Sequence, residues 1–416
     1  MNAEERISLN DMPAGSKCVI IKISGHGGLR HRLMEMGFVK GETVSVLKSS
    51  PLQDPVEYVV MQSHVSLRRS EADKIEVLPL SEKMAEIAAA YNGTMEEEES
   101  VNSPSLSAKI QEKSHSLTVA LLGNPNCGKT SFFNHATGLH EKVGNYAGVT
   151  VDMKIGTFYY KGYTIRLVDL PGTYSVNEYS PEELCVREFL TKNDYDMILN
   201  IVDASNLERN LFLTTQLIDF NVPMVMALNM YDELKSRNDR FDYKSMGRML
   251  GLPIVPTVAA KGTGIPEVLQ AIIDVFEDHK NLTHHIHINY GNDIENAILP
   301  IKKKIAENQD IINIYPARYI AINTLEGAKH TLEDVRQLPN GNEILAEAAQ
   351  YRESLERAYG EKIDTLVSNA RYGFVRGALK ETYQPGERGE RWQAYAADNI
   401  LTNKWLGFPI LILFLY

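Results

Sequence analysis

Cysteine is scarce in this sequence. Cys18, Cys127 and Cys185 are the three thiols in 416 residues, too scattered for a disulfide framework or a cysteine-based zinc site. That scarcity suits a reducing cytoplasm. The N-terminus, Met1 to Arg6, is polar and lacks the apolar core of a signal peptide. Basic residues are not in excess: the formal net charge of -11 argues against a general nucleic-acid binder. No internal repeat is visible. Hydrophobic residues at 44% and charged residues at 23% are ordinary for folded protein, and the length allows about two to four domains.

Long apolar runs are also missing, with one exception. Trp405 to Tyr416 is apolar, and the sequence stops inside it. A membrane-spanning helix needs about 20 such residues. A hydrophobic element docked on a core is one reading. Lys404 and Trp405 stand where interfacial anchors belong, which favours the other, a transmembrane helix cut off partway.

What is present sorts into regions. Up to about Leu80 the chain reads as β-rich. Val44 and Val46 alternate with polar neighbours, Val56 to Met61 is rich in β-branched and aromatic residues, and glycines at 25, 27, 28, 37 and 41 punctuate short elements. Leu29 to Met36 can form one short helix. This predicts a small barrel with little room for an active site. From Ser81 to His115 the chain is acidic and polar, with Glu96 to Glu99 in a row, and reads as a flexible spacer more than a partner-binding tail. Apolar runs then recur at 117–122, 165–168, 197–202, 224–228 and 254–255 with helical segments between several of them. That pattern predicts a mainly parallel sheet covered on both faces. From about Asn292 the period is helical: Ile294, Ile298, Ile301 and Ile305 share a stripe, as do Ile363, Leu366, Val367 and Ala370.

The chemistry lies in the alternating region. Gly123-Asn124-Pro125-Asn126-Cys127-Gly128-Lys129-Thr130 follows an apolar strand, and Thr130-Ser131-Phe132 can begin a helix. Such a loop turns backbone N–H groups toward phosphate oxygens at a helix N-terminus. Lys129 is suited to the β- and γ-phosphates and Thr130 to Mg²⁺. Asp169-Leu-Pro-Gly172 follows another strand; Asp169 can act on Mg²⁺ through water and the Gly172 N–H can meet the γ-phosphate. Asn229-Met230-Tyr231-Asp232 follows a third strand. The Asp232 carboxylate can accept from N1–H and the amine of guanine, a donor pair that adenine lacks. Val258-Ala259-Ala260-Lys-Gly-Thr-Gly264 lies where a last base-contacting loop belongs, with Val258, Ala259 and Ala260 as its candidate contacts. Thr150, in Gly148-Val149-Thr150, is the candidate switch threonine that completes the Mg²⁺ shell. Lys129, Thr150 and Gly172 are therefore the residues expected to act on the transferred phosphoryl group.

These motifs, with Val143 to Val151 and Asp169 to Ser175, resemble the G domain of the bacterial ferrous-iron transport protein B family, FeoB. Asn369-Ala-Arg-Tyr-Gly-Phe-Val375 resembles the helical, guanine-dissociation-inhibitor-like (GDI-like) bundle of that family, and Asp398 to Pro409 the start of its first membrane helix. Arg32 to Gly41, Ser50 to Pro55 and Leu67 to Ala72 resemble FeoA, an SH3-like small barrel. The resemblance implies five segments. They are a FeoA-like barrel at 1–80, an acidic linker at 81–115, a GTPase domain of the TRAFAC type at 116–280, a helical GDI-like domain at 281–385, and a juxtamembrane stretch with a truncated first membrane helix at 386–416. It implies slow GTP hydrolysis on the cytoplasmic face of the bacterial inner membrane, coupled to Fe²⁺ uptake, with no nucleic-acid partner. It also implies that Asn126 coordinates an activating K⁺, which supplies the positive charge an arginine finger supplies elsewhere. The missing membrane domain and the FeoA-like module are its implied intramolecular partners, and homo-oligomerisation through the cytoplasmic part is a further one.

Several positions depart from the common GTPase pattern. Thr173 stands where many GTPases carry a water-positioning glutamine. Met230 replaces a lysine that packs over the base. Val258 replaces a serine, which leaves the guanine carbonyl to the Ala259 N–H. Cys127 in the phosphate loop is either oxidation-sensitive or simply a small residue. His285 and His287 alternate with isoleucines as on one face of a strand, but no third metal ligand is evident. The N-terminal barrel reads as an interaction module or a metal sensor. The alternative for the whole chain is a soluble regulatory or assembly GTPase without a membrane domain; an RNA-directed one would usually carry a basic domain, which is not seen here.

Overall fold

The computed structural model describes residues 7–24, 28–49, 54–61, 63–79, 115–138, 141–142, 153–176, 180–191, 195–277, 286–312 and 315–386. The acidic linker up to Ser114, the switch segment Gly148-Val149-Thr150, His285, and the apolar run from Trp405 lie outside the described residues. The chain divides into two compact units, one containing the N-terminal sheet and the other the larger sheet with the helices up to Tyr383.

The N-terminal sheet has six strands: β1 (Ile7–Ser8), β2 (Lys17–Ile23), β3 (Thr43–Ser49), β4 (Val56–Val60), β5 (Ser63–Leu67) and β6 (Ile75–Pro79), in the order β1-β6-β2-β3-β4-β5. Its pairings are antiparallel. The alternation expected from the sequence sets which face is buried: Val44, Val46, Val56, Tyr58 and Val60 point inward, with Ser45, Glu57 and Val59 between them more exposed. The expected helix forms at Gly28–Glu35 and buries Leu33 and Met34.

The larger sheet comprises β7 (Ser116–Gly123), β8 (Glu141–Lys142), β9 (Lys154–Tyr160), β10 (Tyr163–Asp169), β11 (Met197–Asp203), β12 (Met224–Asn229) and, beyond the two-residue β13 (Arg240–Phe241), β14 (Ile254–Pro256). The order is β14-β12-β11-β7-β10-β9-β8. Strands β14, β12, β11, β7 and β10 run parallel; at one edge β9 is antiparallel to β10, and β8 is antiparallel to β9. Strands β7, β11 and β12 are buried on both faces, which is why they read as continuous apolar runs. Leu117, Val119 and Leu121 pack with Val268, Leu269 and Ile272 of the helix Ile265–Phe276, while Ala120 and Leu122 are buried on the other face. Strand β9 was not legible as an apolar run: it is half-exposed, and Tyr159 is 74% exposed.

The helical region contains Asn292–Ala306, Gln309–Ile312, Ala317–Glu326, Lys329–Arg336, Gly341–Tyr359 and Ile363–Thr382. Ile294, Ile298, Ile301 and Ile305 are buried, as their spacing predicts. In the last helix the stripe is only partly right. Ile363 and Val367 are buried, but Leu366 and Ala370 are half-exposed, and Arg371, Tyr372, Phe374 and Val375 are buried in their stead. The burial of a charged residue explains the shift. The Arg371 guanidinium bonds Asp219, 3.2 Å away, and the Tyr290 hydroxyl, 3.2 Å away; Tyr290 donates in turn to Asp219 at 2.6 Å. Tyr372 stacks on Phe212 with ring centroids 4.6 Å apart. The last helix thus packs against the helix Leu207–Asp219 of the sheet domain.

Of the stretch read as a strand, Ile286, His287 and Ile288 are described and are not in a strand; Thr283 to His285 lie outside the described residues. Ile288 and Tyr290 are buried. No group of three or more His, Cys, Asp or Glu side chains able to hold a metal occurs among the described residues.

Candidate functional site

The loops that carry the motifs leave the C-terminal ends of parallel strands, with the phosphate loop after the central strand β7. Strands β10 and β11 flank β7 on opposite sides, so the site lies at the switch point where open α/β sheets bind ligands. The phosphate loop runs from β7 into the helix Lys129–Thr137. Asn126 is exposed and adopts φ 65°, a left-handed conformation that asparagine tolerates better than most residues. Thr130 is exposed on the first turn of the helix, and Ser131 follows, half-exposed.

Two glycines show how tightly the loops meet. A Cβ on Gly128, at φ 92°, would lie 2.1 Å from Asn229 Nδ2. A Cβ on Gly172 would lie 3.0 Å from Lys129 Nζ and 3.1 Å from Pro125 Cα. The Asp-x-x-Gly loop therefore reaches the ammonium of the phosphate loop. Lys129, 9% exposed, donates to the Gly123 carbonyl at 3.3 Å, and the Thr173 N–H donates to the same oxygen at 3.3 Å. Asp169 ends β10, in register with Leu121 of β7.

Asn229 ties three loops together. Its Nδ2 donates to the Cys127 carbonyl at 2.8 Å, and its Oδ1 accepts from the Ala259 N–H at 2.8 Å and from Thr257 Oγ1 at 3.4 Å. The Ala259 amide is thus bonded to Asn229, and Ala260, the next residue, is exposed. Val258 likewise closes its own loop, with its N–H donating to the Thr263 carbonyl at 3.0 Å. Met230 sits at φ 56°. Asp232 lies in the first turn of the helix Tyr231–Ser236 and pairs with Lys261 at 2.8 Å. The hydrogen bond from Lys261 holds the Asp232 carboxyl below its ordinary range.

The thiol of Cys127 is 1% exposed, and burial pushes it up to about 11. It fills space in the loop as a small residue. Thr173 is also turned inward: it is 3% exposed, its hydroxyl donates to the Ser175 carbonyl at 2.6 Å, and it accepts from the Ser175 N–H at 3.3 Å. Asn124 is buried, with Nδ2 directed at the Arg209 carbonyl, 3.5 Å away. The sequence reading placed Lys261 in the last base loop without a role, and missed Thr257, Arg209 and Gln216. These three stand in no recognisable motif, and only the spatial approach of separate elements brings them in.

The comparisons agree with this geometry. The family model described as ferrous iron transport protein B matches residues 117–272, the FeoA domain model matches 7–79, and the FeoB cytosolic helical domain model matches 290–384. A Porphyromonas gingivalis Fe(2+) transport protein A/Fe(2+) transporter FeoB fusion protein is 42% identical over 427 residues, covering 98% of this chain and 51% of the relative. A Staphylococcus aureus Fe(2+) transporter FeoB is 34% identical over 297 residues, covering 70% of this chain and 42% of its own. The chain thus spans about half the length, or less, of these relatives. Among solved structures, an alanine-to-serine variant of the S. thermophilus FeoB G-domain with GDP bound is 33% identical. It aligns with a TM-score of 0.58 over 64% of this chain and 100% of its own. The cytosolic domain of T. maritima FeoB in its GMPPNP form is 30% identical, with a TM-score of 0.55 over 64% and 99%. With its G domain, its cytosolic helical domain and the FeoA domain ahead of them, the chain belongs to the FeoB family of ferrous-iron transport proteins.

Proposed function

We propose that this chain binds and hydrolyses GTP as the cytoplasmic part of a bacterial Fe²⁺ uptake transporter, with nucleotide state regulating or driving transport. The observation that carries the proposal is the meeting of Gly172 with Lys129 and Pro125, beside an Asn229 that joins the phosphate loop to the base loops. Backbone from Asn124 to Gly128, with Ser131 beyond, cradles the phosphates, and Lys129 neutralises the β and γ groups. Asp232 reads the guanine N1–H and amine, beside Asn229 and Met230. The loop of Val258, Ala259 and Ala260 faces the guanine carbonyl.

A hard divalent cation fits the donor set of Thr130, Asp169 and Thr150, the last with Gly148 and Val149 in the switch segment. Mg²⁺ held there would neutralise charge between the β- and γ-phosphates. A K⁺ bound through Asn126 would add positive charge on the same side. Thr173 offers no base, since its hydroxyl is spent on Ser175; slow hydrolysis follows from that, and stimulation by K⁺ is what the family resemblance implies for Asn126. The FeoA domain serves as a regulatory module. The missing membrane domain would place the chain at the cytoplasmic face of the inner membrane, where it self-associates through this part.

Displacement of a fluorescent GDP by GTP and by ATP tests the reading. GTP should displace it at far lower concentration. Equal displacement by ATP would contradict the assignment. In cells, restoration of Fe²⁺ uptake by the native full-length protein, lost on replacing Lys129 with Ala, tests the transport reading.

A further inference from the structure

The Asp-x-x-Gly loop is pinned on two sides. On one side the Thr173 N–H bonds the Gly123 carbonyl of the phosphate loop. On the other, the loop docks on the helix Leu207–Asp219 at two points. The Val176 N–H donates to Gln216 Oε1 at 2.8 Å, and the guanidinium of Arg209 stacks on the ring of Tyr174, with Cζ 4.2 Å from the centroid. Arg209 Nε is buried and makes no hydrogen bond among the described residues, so the ring is the principal partner of that part of the side chain. The same residue receives the phosphate loop through its carbonyl, from Asn124 Nδ2.

The neighbours of Arg209 face elsewhere. Glu208 accepts from Arg376 Nε at 2.6 Å, and Phe212 stacks on Tyr372, both on the last helix of the helical domain. One turn of one helix is therefore held between the loop that ends in Tyr174 and the helical domain. Tyr174 follows Gly172 by two residues. A loop so short transmits a shift of the ring directly to the Gly172 amide.

We propose that Arg209 is a positioning residue for GTP hydrolysis: its stack on Tyr174 holds Gly172 beside Lys129, and it does so from a helix anchored to the helical domain. The proposal rests on the GTP-hydrolysing reading above. It separates ground-state binding from the chemical step. Phosphate and base contacts to GDP do not pass through Tyr174, whereas the γ-phosphate contact of Gly172 does. Loss of the stack should thus lower kcat and spare GDP affinity.

The test uses the full chain with Arg209→Met, Arg209→Lys, Tyr174→Leu, Tyr174→Phe and the Met/Leu double variant, each checked by thermal melting. Phosphate release gives kcat, and fluorescent-GDP titration gives affinity. Arg209→Met and Tyr174→Leu should each lower kcat by about three- to tenfold, the size of a partly desolvated cation–π contact. The double variant should lose no more than the worse single one, because both remove one interaction. Tyr174→Phe should retain most of the rate, Arg209→Lys should fall between Arg209→Met and wild type, and GDP affinity should stay within about twofold throughout. Unchanged kcat in Arg209→Met, multiplicative losses in the double variant, or a parallel loss of GDP affinity would each overturn the proposal. A wild-type chain that binds GDP but releases no phosphate from GTP would overturn the hydrolysis reading and this one with it. A chain with normal turnover but no sensitivity at Arg209 would overturn this one alone.

Discussion

Asn229 Nδ2 and the Cys127 carbonyl are 2.8 Å apart, and this bond joins the base-reading loop to the phosphate loop. The same side chain accepts from the Ala259 N–H at 2.8 Å. One buried amide thus fixes the mutual position of three loops that share no secondary structure.

The first prediction concerns that amide. Asn229→Ala removes both bonds and leaves the Cys127 carbonyl and the Ala259 N–H without their partner in a buried place. The expected loss in GDP affinity is roughly tenfold or more, from about 1 to 3 kcal/mol for unsatisfied groups. Titration of the variant with fluorescent GDP checks it. Affinity equal to wild type would show that the loops hold their positions without Asn229.

On the proposed function, Asp232 selects the base: its carboxylate, paired with Lys261, offers acceptors for the two donors of guanine. Asp232→Asn presents an amide in its place, which suits xanthine. Competition between GTP and xanthosine triphosphate should reverse in that variant; an undiminished preference for GTP would remove Asp232 from the site.

Thiol chemistry gives a test of packing. All three cysteines are buried, and burial raises Cys127 to about 11 and Cys18 to about 12. The thiolate is the reactive form, so reactivity is low below those values and rises as pH approaches them. At pH 8 the native chain should react with a disulfide reagent far more slowly than the denatured one. Rapid labelling of Cys127 under native conditions would mean that the phosphate loop opens.

The joint between the sheet and the helical region makes a stability prediction. Arg371 and Asp219 are buried together, with side chains 6% and 1% exposed. Arg371→Ala leaves the carboxylate without its guanidinium, which costs about 3–5 kcal/mol in comparable buried pairs. Urea unfolding of the variant against wild type measures it. A loss under about 1 kcal/mol would show that the pair breaks even against its desolvation.

Much of this site was legible in the sequence because phosphate loops are local. Gly123 to Thr130 fixes a turn and a helix start by its own glycines and lysine, so strand, loop and helix fall where the motif places them. The central strands were legible for a related reason: burial on both faces makes Met197 to Val202 and Met224 to Leu228 continuous apolar runs. Strand β9 was not, since at a half-exposed edge nothing forces its residues to be apolar. The bond from the Ala259 amide to Asn229 was not legible, because its partner is 30 residues away. Arg371 and Asp219 illustrate the same limit. A buried charge looks like a surface charge until its partner, 152 residues distant, is beside it.

The most direct test of the account is GTP turnover by the full chain in KCl and in NaCl, for wild type and for Asn126→Gly. Glycine adopts the φ of 65° seen at Asn126 at no steric cost, so the substitution removes the side-chain amide and keeps the loop. The account predicts that K⁺ raises the wild-type rate on the order of tenfold, as a modest share of what an arginine finger supplies, and that Asn126→Gly binds GDP normally but loses the difference between the two salts. A wild-type rate indifferent to the cation, or a variant that keeps the stimulation, would contradict it and leave Asn126 as a residue that shapes the loop.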